Sequence, residues 1–319
     1  MMAMQEARAV LSSLLSKYRG GIVAAEEWQP VTAGASGRCL LRAAGVLGIY
    51  WTAERADNNS FLPAAHGLHR AGIRVPEVLA ERHLPGGCGA CLVTDLGTRE
   101  LSSLRHAAWE ERKQAYTSAF QTLIPFYDLR PDWPLQPPFD VDLYRWEQEY
   151  FAEHLLGRHL GGDAEAFLAA PALREMAEWL ASLPRVPVHR DCQSPNIMLC
   201  AGEAWLVDFQ GMRMGLKEYD LASLLFDSHM PMKPEERVEL LRLWQELGGR
   251  PVESAVFAAC ALQRLMQALG AYANIGYNQG KPQYLDLIPT ALSALRDAAL
   301  LAPPASPASS IIPWLPVAD

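Results

Sequence analysis

The sequence predicts an α+β fold, with a small antiparallel β-sheet in an N-terminal lobe and helices in a larger C-terminal lobe. Short strand-like runs around a glycine-containing turn lie in the first hundred residues, whereas apolar residues at helical spacing dominate afterwards. At 319 residues, the chain exceeds the roughly 250 residues at which a single core tends to divide. We assign residues 1–97 to the first lobe, 98–301 to the second and 302–319 to a proline-rich C-terminal tail.

Turn residues and hydrophobic periodicity define the order of the predicted elements. In the first lobe we predict a helix over 1–18, strands over 27–31, 39–42 and 45–51, a helix over 61–71, and a strand over 90–93. In the second lobe we predict helical structure over 101–127, a proline-rich loop over 125–138, a helix over 141–156 and a late helix that includes 262–272.

Composition and charge restrict the class of protein. Half of the residues are hydrophobic and a fifth are charged, which is ordinary for a globular chain. The net charge of −8 offers no basic stripe for phosphates, so we expect no nucleic-acid partner. No stretch is long enough to span a membrane, and six scattered cysteines are typical of a reducing cytoplasm rather than a disulfide framework. We therefore expect a cytoplasmic monomer without a membrane partner.

The most informative segment is 188–196, Val-His-Arg-Asp-Cys-Gln-Ser-Pro-Asn, which is followed by Leu-Val-Asp-Phe-Gln at 206–210. Asp191 precedes Asn196 by five positions and Asp208 by seventeen, the order that is typical of a kinase catalytic centre. Phosphoryl transfer from ATP needs a base for the acceptor hydroxyl and hard oxygen ligands for Mg²⁺. The pattern therefore predicts Asp191 as the base and Asn196 with Asp208 as Mg²⁺ ligands.

The first lobe departs from the protein-kinase pattern, because no lysine occurs between Lys17 and Lys113 to hold the ATP phosphates. Arg38 is the candidate replacement, since a guanidinium can hold two oxygens at once. It follows a turn in which the backbone N–H groups of Gly34, Ser36 and Gly37 could cradle phosphate oxygens. Arg42 and Arg55 are alternatives, and an exposed strand arginine is the other interpretation of Arg38.

With these motifs, the chain resembles the aminoglycoside-phosphotransferase-like kinases. Within them, it is similar to bacterial sugar kinases that phosphorylate the anomeric hydroxyl of N-acetylmuramate and N-acetylglucosamine. Beyond the catalytic run, the resemblance rests on short motifs along most of the chain, at 34–38, 75–77, 95–97, 146–151, 208–211, 219–225, 262–272 and 288–289. It implies a protein-kinase-like two-lobe fold, ATP and Mg²⁺ as cofactors, and an amino-sugar substrate of cell-wall sugar recycling.

The resemblance also implies roles for individual residues. Thr94 and Asp95 stand where kinases place the hinge that receives adenine. Glu147 resembles the acidic position that faces the acceptor pocket, although a solvated helix charge is an equal interpretation. Asp220 would brace the catalytic loop, which is compatible with a helix N-cap.

The catalytic loop itself supplies further candidates. Gln193 and Ser194 lie beside the proposed base and could bind sugar hydroxyls. His189 is expected to support the loop rather than to transfer protons. On the late helix, Met266, Tyr272 and Asn274 would close the far side of the pocket, or else belong to the core.

Two other functions stay open at the level of sequence. One is a kinase for aminoglycosides or for an amino alcohol such as choline, although such cations need a concentrated carboxylate lining. The other is a pseudokinase that binds nucleotide without catalysis, an idea that the missing lysine invites. Retention of Asp191, Asn196 and Asp208 favours a catalyst over a pseudokinase.

Overall fold

The computed structural model describes residues 2–31 and 38–316 and confirms the predicted fold class. The first lobe contains a five-stranded antiparallel sheet with the strand order β1-β2-β3-β5-β4. These strands are β1 (Gln29–Pro30), β2 (Cys39–Ala43), β3 (Val46–Trp51), β4 (Val78–His83) and β5 (Gly89–Thr94). Two helices belong to this lobe, α1 (Met2–Arg19) and α2 (Phe61–Arg70).

The sheet buries both faces because alternate side chains of a strand point to opposite sides. One face packs on α1, where Tyr50 and Leu92 join the buried Leu11 and Leu15. The other face turns Ile49, Trp51 and Val93 toward α2 and the second lobe. The central strands therefore read as continuous apolar runs, which is why their prediction from sequence was correct.

The edge strands differ from the prediction. The predicted strand over 27–31 forms ladder pairs only at Gln29–Pro30, after a 3₁₀ turn at Ala25–Glu27. Strand β4 was not predicted, because its Glu81, Arg82 and His83 are exposed and a bulge interrupts its alternation. An exposed edge strand offers no apolar period for sequence analysis to detect.

The second lobe is mostly helical. Its helices are α3 (Trp109–Phe126), α4 (Val141–Phe151), α5 (Ala164–Ala169), α6 (Pro171–Ser182), α7 (Lys217–Leu225), α8 (Pro234–Glu246), α9 (Ser254–Asn278), α10 (Ile288–Leu300) and α11 (Pro307–Ile311). Helix α9 is the central element and packs against α4, α7 and α10.

Three boundaries in this lobe differ from prediction. The predicted helix over 101–127 begins with a 3₁₀ turn at Leu101–Leu104, and α3 starts only at Trp109. The predicted helix over 141–156 continues beyond α4 as a π-helical segment, Ala152–His159. The stretch 302–316 of the predicted tail is folded, because Ala308 and Ile311 of α11 are buried against α6 and α9.

Two short antiparallel ribbons bring the catalytic motifs together. One ribbon pairs β6 (Val186–Val188) with β9 (Arg213–Gly215), and the other pairs β7 (Ile197–Cys200) with β8 (Glu203–Leu206). Residues 189–196 connect the two ribbons on one side, and residues 207–212 connect them on the other. The two sequence motifs therefore become neighbouring loops.

None of the helices in the described part of the chain is both long and apolar enough to cross a membrane.

Close contact between α9 and α4 generates a prediction about stability. A Cβ added at Gly270 would lie 2.8 Å from the backbone oxygen of Tyr150, which cannot move aside without shifting α4. Alanine favours a helix by about 1 kcal/mol over glycine, but overpacking typically costs about 1–3 kcal/mol. We expect Gly270→Ala to lower the free energy of unfolding by about 1 kcal/mol or more in urea titrations.

Gly276→Ala on the same helix is the matched control. The three atoms nearest to its added Cβ would all belong to the side chain of Leu285, which is half-buried and can change rotamer. The control should change stability little. Equal destabilisation by the two substitutions would contradict the importance of the backbone contact.

Candidate active site

A cavity of about 630 Å³ lies between the two lobes. From the first lobe, alternate residues of the sheet face it, and the hinge after β5 closes one end. From the second lobe, the two catalytic loops and one face of α9 complete the lining. The described lining residues on which the site depends are Arg38, Leu40, Arg42, Leu47, Ile49, Val93, Thr94, Asp95, Asp191, Gln193, Asn196, Asp208, His229, Arg264, Gln267, Tyr272 and Tyr284.

Asp220 holds the backbone of the catalytic loop. Its carboxylate accepts hydrogen bonds from the N–H groups of His189 at 2.7 Å and Arg190 at 2.9 Å, and from the Tyr127 hydroxyl at 3.3 Å. Burial raises the pKa of Asp220 to about 6 despite these donors. Asp220 lies inside the first turn of α7 with Leu216 as the N-cap, so the N-cap interpretation was wrong.

His189 joins the two catalytic loops. Its Nε2 lies 2.9 Å from the carbonyl oxygen of Val207, the residue before Asp208. A carbonyl can only accept a hydrogen bond, so Nε2 must carry the proton in this contact. Arg190 next to it has a φ of 76°, a left-handed conformation that a non-glycine residue adopts only when its surroundings hold it. The loop backbone is thus fixed on both sides of His189.

Asp191 projects from this loop into the cavity and pairs with a buried cation. Its Oδ1 lies 3.0 Å from Nη2 of Arg264 on α9. The Arg264 side chain is 4% exposed, whereas that of Asp191 is 38% exposed and open to an acceptor. Burial acts to raise the pKa of Asp191, but Arg264 and Arg190 outweigh it and lower that pKa below its ordinary value. Asp191 is therefore an ionised carboxylate, as a base must be.

Asn196 and Asp208 present oxygen atoms to the same cavity. The Asn196 amide nitrogen donates to the Asp191 carbonyl at 2.9 Å, and its Oδ1 accepts no hydrogen bond from the described residues. Asp208 has a φ of 63°, and its Oδ1 accepts from Nε2 of Gln210 at 3.0 Å. One carboxylate and one amide oxygen fit Mg²⁺, which keeps several waters and takes substrate phosphates as ligands. In the described residues no group of three or more His, Cys, Asp and Glu side chains could hold a metal by itself.

Arg38 reaches the metal-binding side of the cavity. Its guanidinium contacts the carboxylate of Asp208 and lies 5.5 Å over the ring of Phe61. Phe61 in turn stacks on Phe209 with ring centroids 5.2 Å apart. This placement is compatible with a phosphate-binding role, and Arg38 is no exposed strand residue. Gly34, Ser36 and Gly37, which were predicted to cradle phosphates, lie outside the described residues.

The hinge holds Asp95 in an internal ion pair. Its carboxylate receives Nε of Arg42 at 2.6 Å and Nη2 at 3.0 Å, and it also accepts the N–H of Gly97 at 2.9 Å. Thr94 lines the cavity beside it, where the prediction placed adenine. Arg55, the other alternative to Arg38, pairs with Asp57 and is not among the described lining residues.

Two of the predicted substrate contacts do not reach the cavity. Glu147 is 0% exposed and accepts hydrogen bonds from the Tyr219 hydroxyl at 2.8 Å and from Gln263 Nε2 at 3.0 Å. Ser194 is also buried, with its N–H bonded to Asp227 at 2.6 Å. Both predictions are therefore corrected, because these buried side chains are not among the described residues that line the cavity, whereas Gln193 is.

The late helix contributes differently from the prediction. Tyr272 lines the cavity, Met266 belongs to the core, and Asn274 donates to the Tyr150 hydroxyl at 2.7 Å. Sequence reasoning missed Arg264, which pairs with the proposed base. A lone arginine within the apolar run of α9 was the available signal, since a buried cation requires a partner.

Comparison with known proteins agrees with this geometry. A family model described as "Phosphotransferase enzyme family" matches residues 27–256, more than half of the chain. The chain belongs to this phosphotransferase family. It is 31% identical over 245 residues to an N-acetylmuramate/N-acetylglucosamine kinase of Pseudomonas putida, covering 72% of this chain and 69% of the relative. A protein of Pseudomonas aeruginosa with the same name is 30% identical over 273 residues, covering 82% of this chain and 79% of the relative.

Solved structures show the fold of the family. A choline/ethanolamine kinase family protein of Mesorhizobium loti superposes with a TM-score of 0.64 at 17% identity, over 98% of this chain and 99% of that one. An aminoglycoside-3'-phosphotransferase of type VIII gives a TM-score of 0.56 at 20% identity, over 76% and 93%. The resemblance inferred from the motifs is thereby confirmed, and the protein is an ATP-dependent phosphotransferase.

Arg38 generates the first prediction for this site. Loss of a hydrogen bond to a charged group costs about 1.5–3 kcal/mol, so Arg38→Ala should lower kcat/KM for ATP about tenfold to a hundredfold. Arg38→Lys should recover only part, because an ammonium cannot reproduce the two-pronged contact. Steady-state kinetics with varied ATP measure both changes. Arg42→Ala and Arg55→Ala are the controls, and a larger loss in either would place the phosphate contact elsewhere.

A second prediction concerns the metal ligands. Asp208→Ala and Asn196→Ala should both weaken Mg²⁺-dependent ATP binding, with the larger loss in Asp208→Ala because it removes a charge as well as an oxygen. Titration calorimetry with and without Mg²⁺ separates this effect from binding of the nucleotide alone. If wild type and both variants bound ATP equally under the two conditions, neither residue would be a metal ligand.

Proposed function

We propose that this phosphotransferase transfers the γ-phosphoryl group of ATP to the anomeric hydroxyl of an N-acetylated amino sugar, N-acetylmuramate, N-acetylglucosamine or both. The observation that carries the reaction type is the meeting of Asp191, Asn196 and Asp208 in one cavity between the lobes. The observation that favours the acceptor is that relatives about 30% identical over most of the chain are named as kinases of these two sugars.

The reaction follows from the positions of the side chains. Asp191 accepts the proton of the anomeric hydroxyl while that oxygen forms a bond to the γ-phosphorus. The bond between this phosphorus and the bridging oxygen of ADP breaks, and ADP leaves with the electron pair. Asn196 and Asp208 would hold Mg²⁺, which supplies charge neutralisation to the phosphate oxygens. Arg38 would hold further phosphate oxygens from the sheet.

The other lining side chains support one end of the cavity as the adenine site and the other end as the acceptor site. Apolar Leu40, Leu47 and Val93 beside the hinge suit the adenine ring, with Thr94 at the hinge itself. At the other end, Gln193 and the face of α9 suit the acceptor. A role in cell-wall sugar recycling, a cytoplasmic location and a monomeric state stay predictions.

The two alternatives have less support. Aminoglycosides and choline are cations, yet three of the four carboxylates in the described lining are already paired with arginines. The four are Asp95, Glu100, Asp191 and Asp208, of which Asp95 pairs with Arg42, Asp191 with Arg264 and Asp208 with Arg38. A pseudokinase would not need a loop held by Asp220 that aims an ionised Asp191 into the cavity. Both alternatives are testable in one assay.

The test is phosphoryl transfer from MgATP to N-acetylmuramate, N-acetylglucosamine, kanamycin and choline, each at the same concentration. We expect turnover of the N-acetylated sugars only. Methyl N-acetylglucosaminide, which has no free anomeric hydroxyl, should not be phosphorylated. Turnover of kanamycin or choline without turnover of either sugar would reject the proposal, and phosphorylation of the methyl glycoside would reject the anomeric position.

Asp191→Asn provides the matched test of mechanism. A positioned base contributes about 10² to 10⁴ in rate, so turnover should fall by that factor while MgATP binding stays nearly unchanged. Asp286→Asn, at an exposed position, is the control and should behave like wild type. Near-normal turnover of Asp191→Asn would remove the assignment of the base.

A further inference from the structure

The acceptor end of the cavity has an unusual charge arrangement that the proposed reaction does not by itself require. The described residues that line it are Gln193, His229, Arg264, Gln267, Tyr272 and Tyr284, beside Asp191. Tyr272 and Tyr284 are aromatic neighbours with ring centroids 6.3 Å apart, and His229 meets Tyr272 edge-on at 6.2 Å. Asp191 is the one carboxylate among these lining residues, and Arg264 lies directly against it. Buried Asp227 lies behind them and accepts the N–H groups of Ser194 and His229.

Arg264 is held in place by three side chains, two of which come from outside α9. Its Nε donates to the Ser223 hydroxyl at 3.0 Å, its Nη1 contacts the Gln267 side chain, and its Nη2 donates to Asp191 Oδ1 at 3.0 Å. The guanidinium is buried on α9, so its orientation is determined by these contacts rather than by solvent. Burial acts to lower the pKa of Arg264, but Asp191 outweighs it and raises that pKa.

We propose that Arg264 is a positioning residue for Asp191 and also selects the acceptor by its charge. The positive charge of Arg264 offsets the negative charge of Asp191, so that the site takes sugars whose nitrogen is acylated and rejects those with a free amine. This inference rests on the proposed function. In an amino sugar the nitrogen is on the carbon next to the anomeric carbon, so a free ammonium would lie beside Asp191. There it would lose hydration without gaining net attraction from the neutral Asp191–Arg264 pair.

The test compares glucosamine with glucose, which differ at this position by an ammonium against a hydroxyl. Each sugar is used as a competitive inhibitor of N-acetylglucosamine phosphorylation, at one pH below the pKa of the amine. In wild type we expect glucosamine to have a higher Ki than glucose, which means weaker inhibition. Arg264→Gln removes the guanidinium that contacts Asp191, so the ratio of the two Ki values should shift in favour of glucosamine by about tenfold or more, equivalent to about 1.4 kcal/mol.

Two variants separate charge from geometry. Arg264→Lys keeps the charge and should keep the wild-type ratio, even if kcat falls because the three-way contact is lost. Ser223→Ala removes a contact of Arg264 without changing charge and should also keep the ratio. A purely structural role would lower activity in all variants and leave the ratio unchanged. ADP binding by each variant reports whether it is folded.

The possible outcomes decide between two ideas. If wild type phosphorylates neither N-acetylated sugar, the proposed function fails. If it does, but the glucosamine-to-glucose ratio is the same in wild type and Arg264→Gln, the role of Arg264 in acceptor charge is overturned. Equal inhibition by both sugars in wild type, including no inhibition by either, overturns it as well. If Arg264→Gln does not fold, the glucosamine-to-glucose Ki ratios of wild type and Arg264→Lys are the deciding measurements.

Discussion

Two carboxylates, Asp191 and Asp208, must face one partly apolar cavity, and this requirement explains much of the surrounding structure. Carboxylates that share a site raise each other's pKa unless cations lie nearby. Here each carboxylate has its own arginine: Arg38 contacts Asp208 from the sheet, and Arg264 contacts Asp191 from α9. A guanidinium stays protonated at any physiological pH, so each carboxylate has a permanent positive partner before nucleotide binds. Because the arginines come from different lobes, the charge balance of the site also ties the lobes together.

The position of Arg264 depends on contacts that lie deeper in the second lobe. Buried Glu147 on α4 accepts from Gln263, the residue before Arg264, and from Tyr219 on α7. Burial raises the pKa of Glu147, although these two donors act in the opposite direction. The close approach of Gly270 to Tyr150 fixes α4 and α9 about two turns further along α9 than the Glu147–Gln263 contact. Glu147 therefore acts on the base indirectly, through the helix that carries Arg264.

Sequence analysis predicted the parts of the site that are local in the chain. Asp191, Asn196 and Asp208 lie within eighteen residues, and two short ribbons bring any such segment together. Arg264 follows Asp191 by seventy-three positions, and its role depends on which face of α9 meets the catalytic loop. Glu147 was misassigned for the same reason, since its position along α4 does not show whether the surface that it faces is a cavity or another helix. Only packing distinguishes these cases.

The register of the sheet also explains how the site works without the phosphate-binding lysine that protein kinases carry in the first lobe. Residues of β3 that face the cavity are Leu47 and Ile49, and on the opposite face a Cβ at Gly48 would lie 2.8 Å from Leu11 and Trp28. The cavity-facing positions of β3 are therefore apolar, whereas the cavity-facing positions at and before β2 include the cations Arg38 and Arg42. Arg42 is used by the hinge, whereas Arg38 reaches Asp208. Phosphoryl transfer requires a positive charge beside the phosphates, and an arginine directly before the adjacent strand can supply it without a lysine on β3.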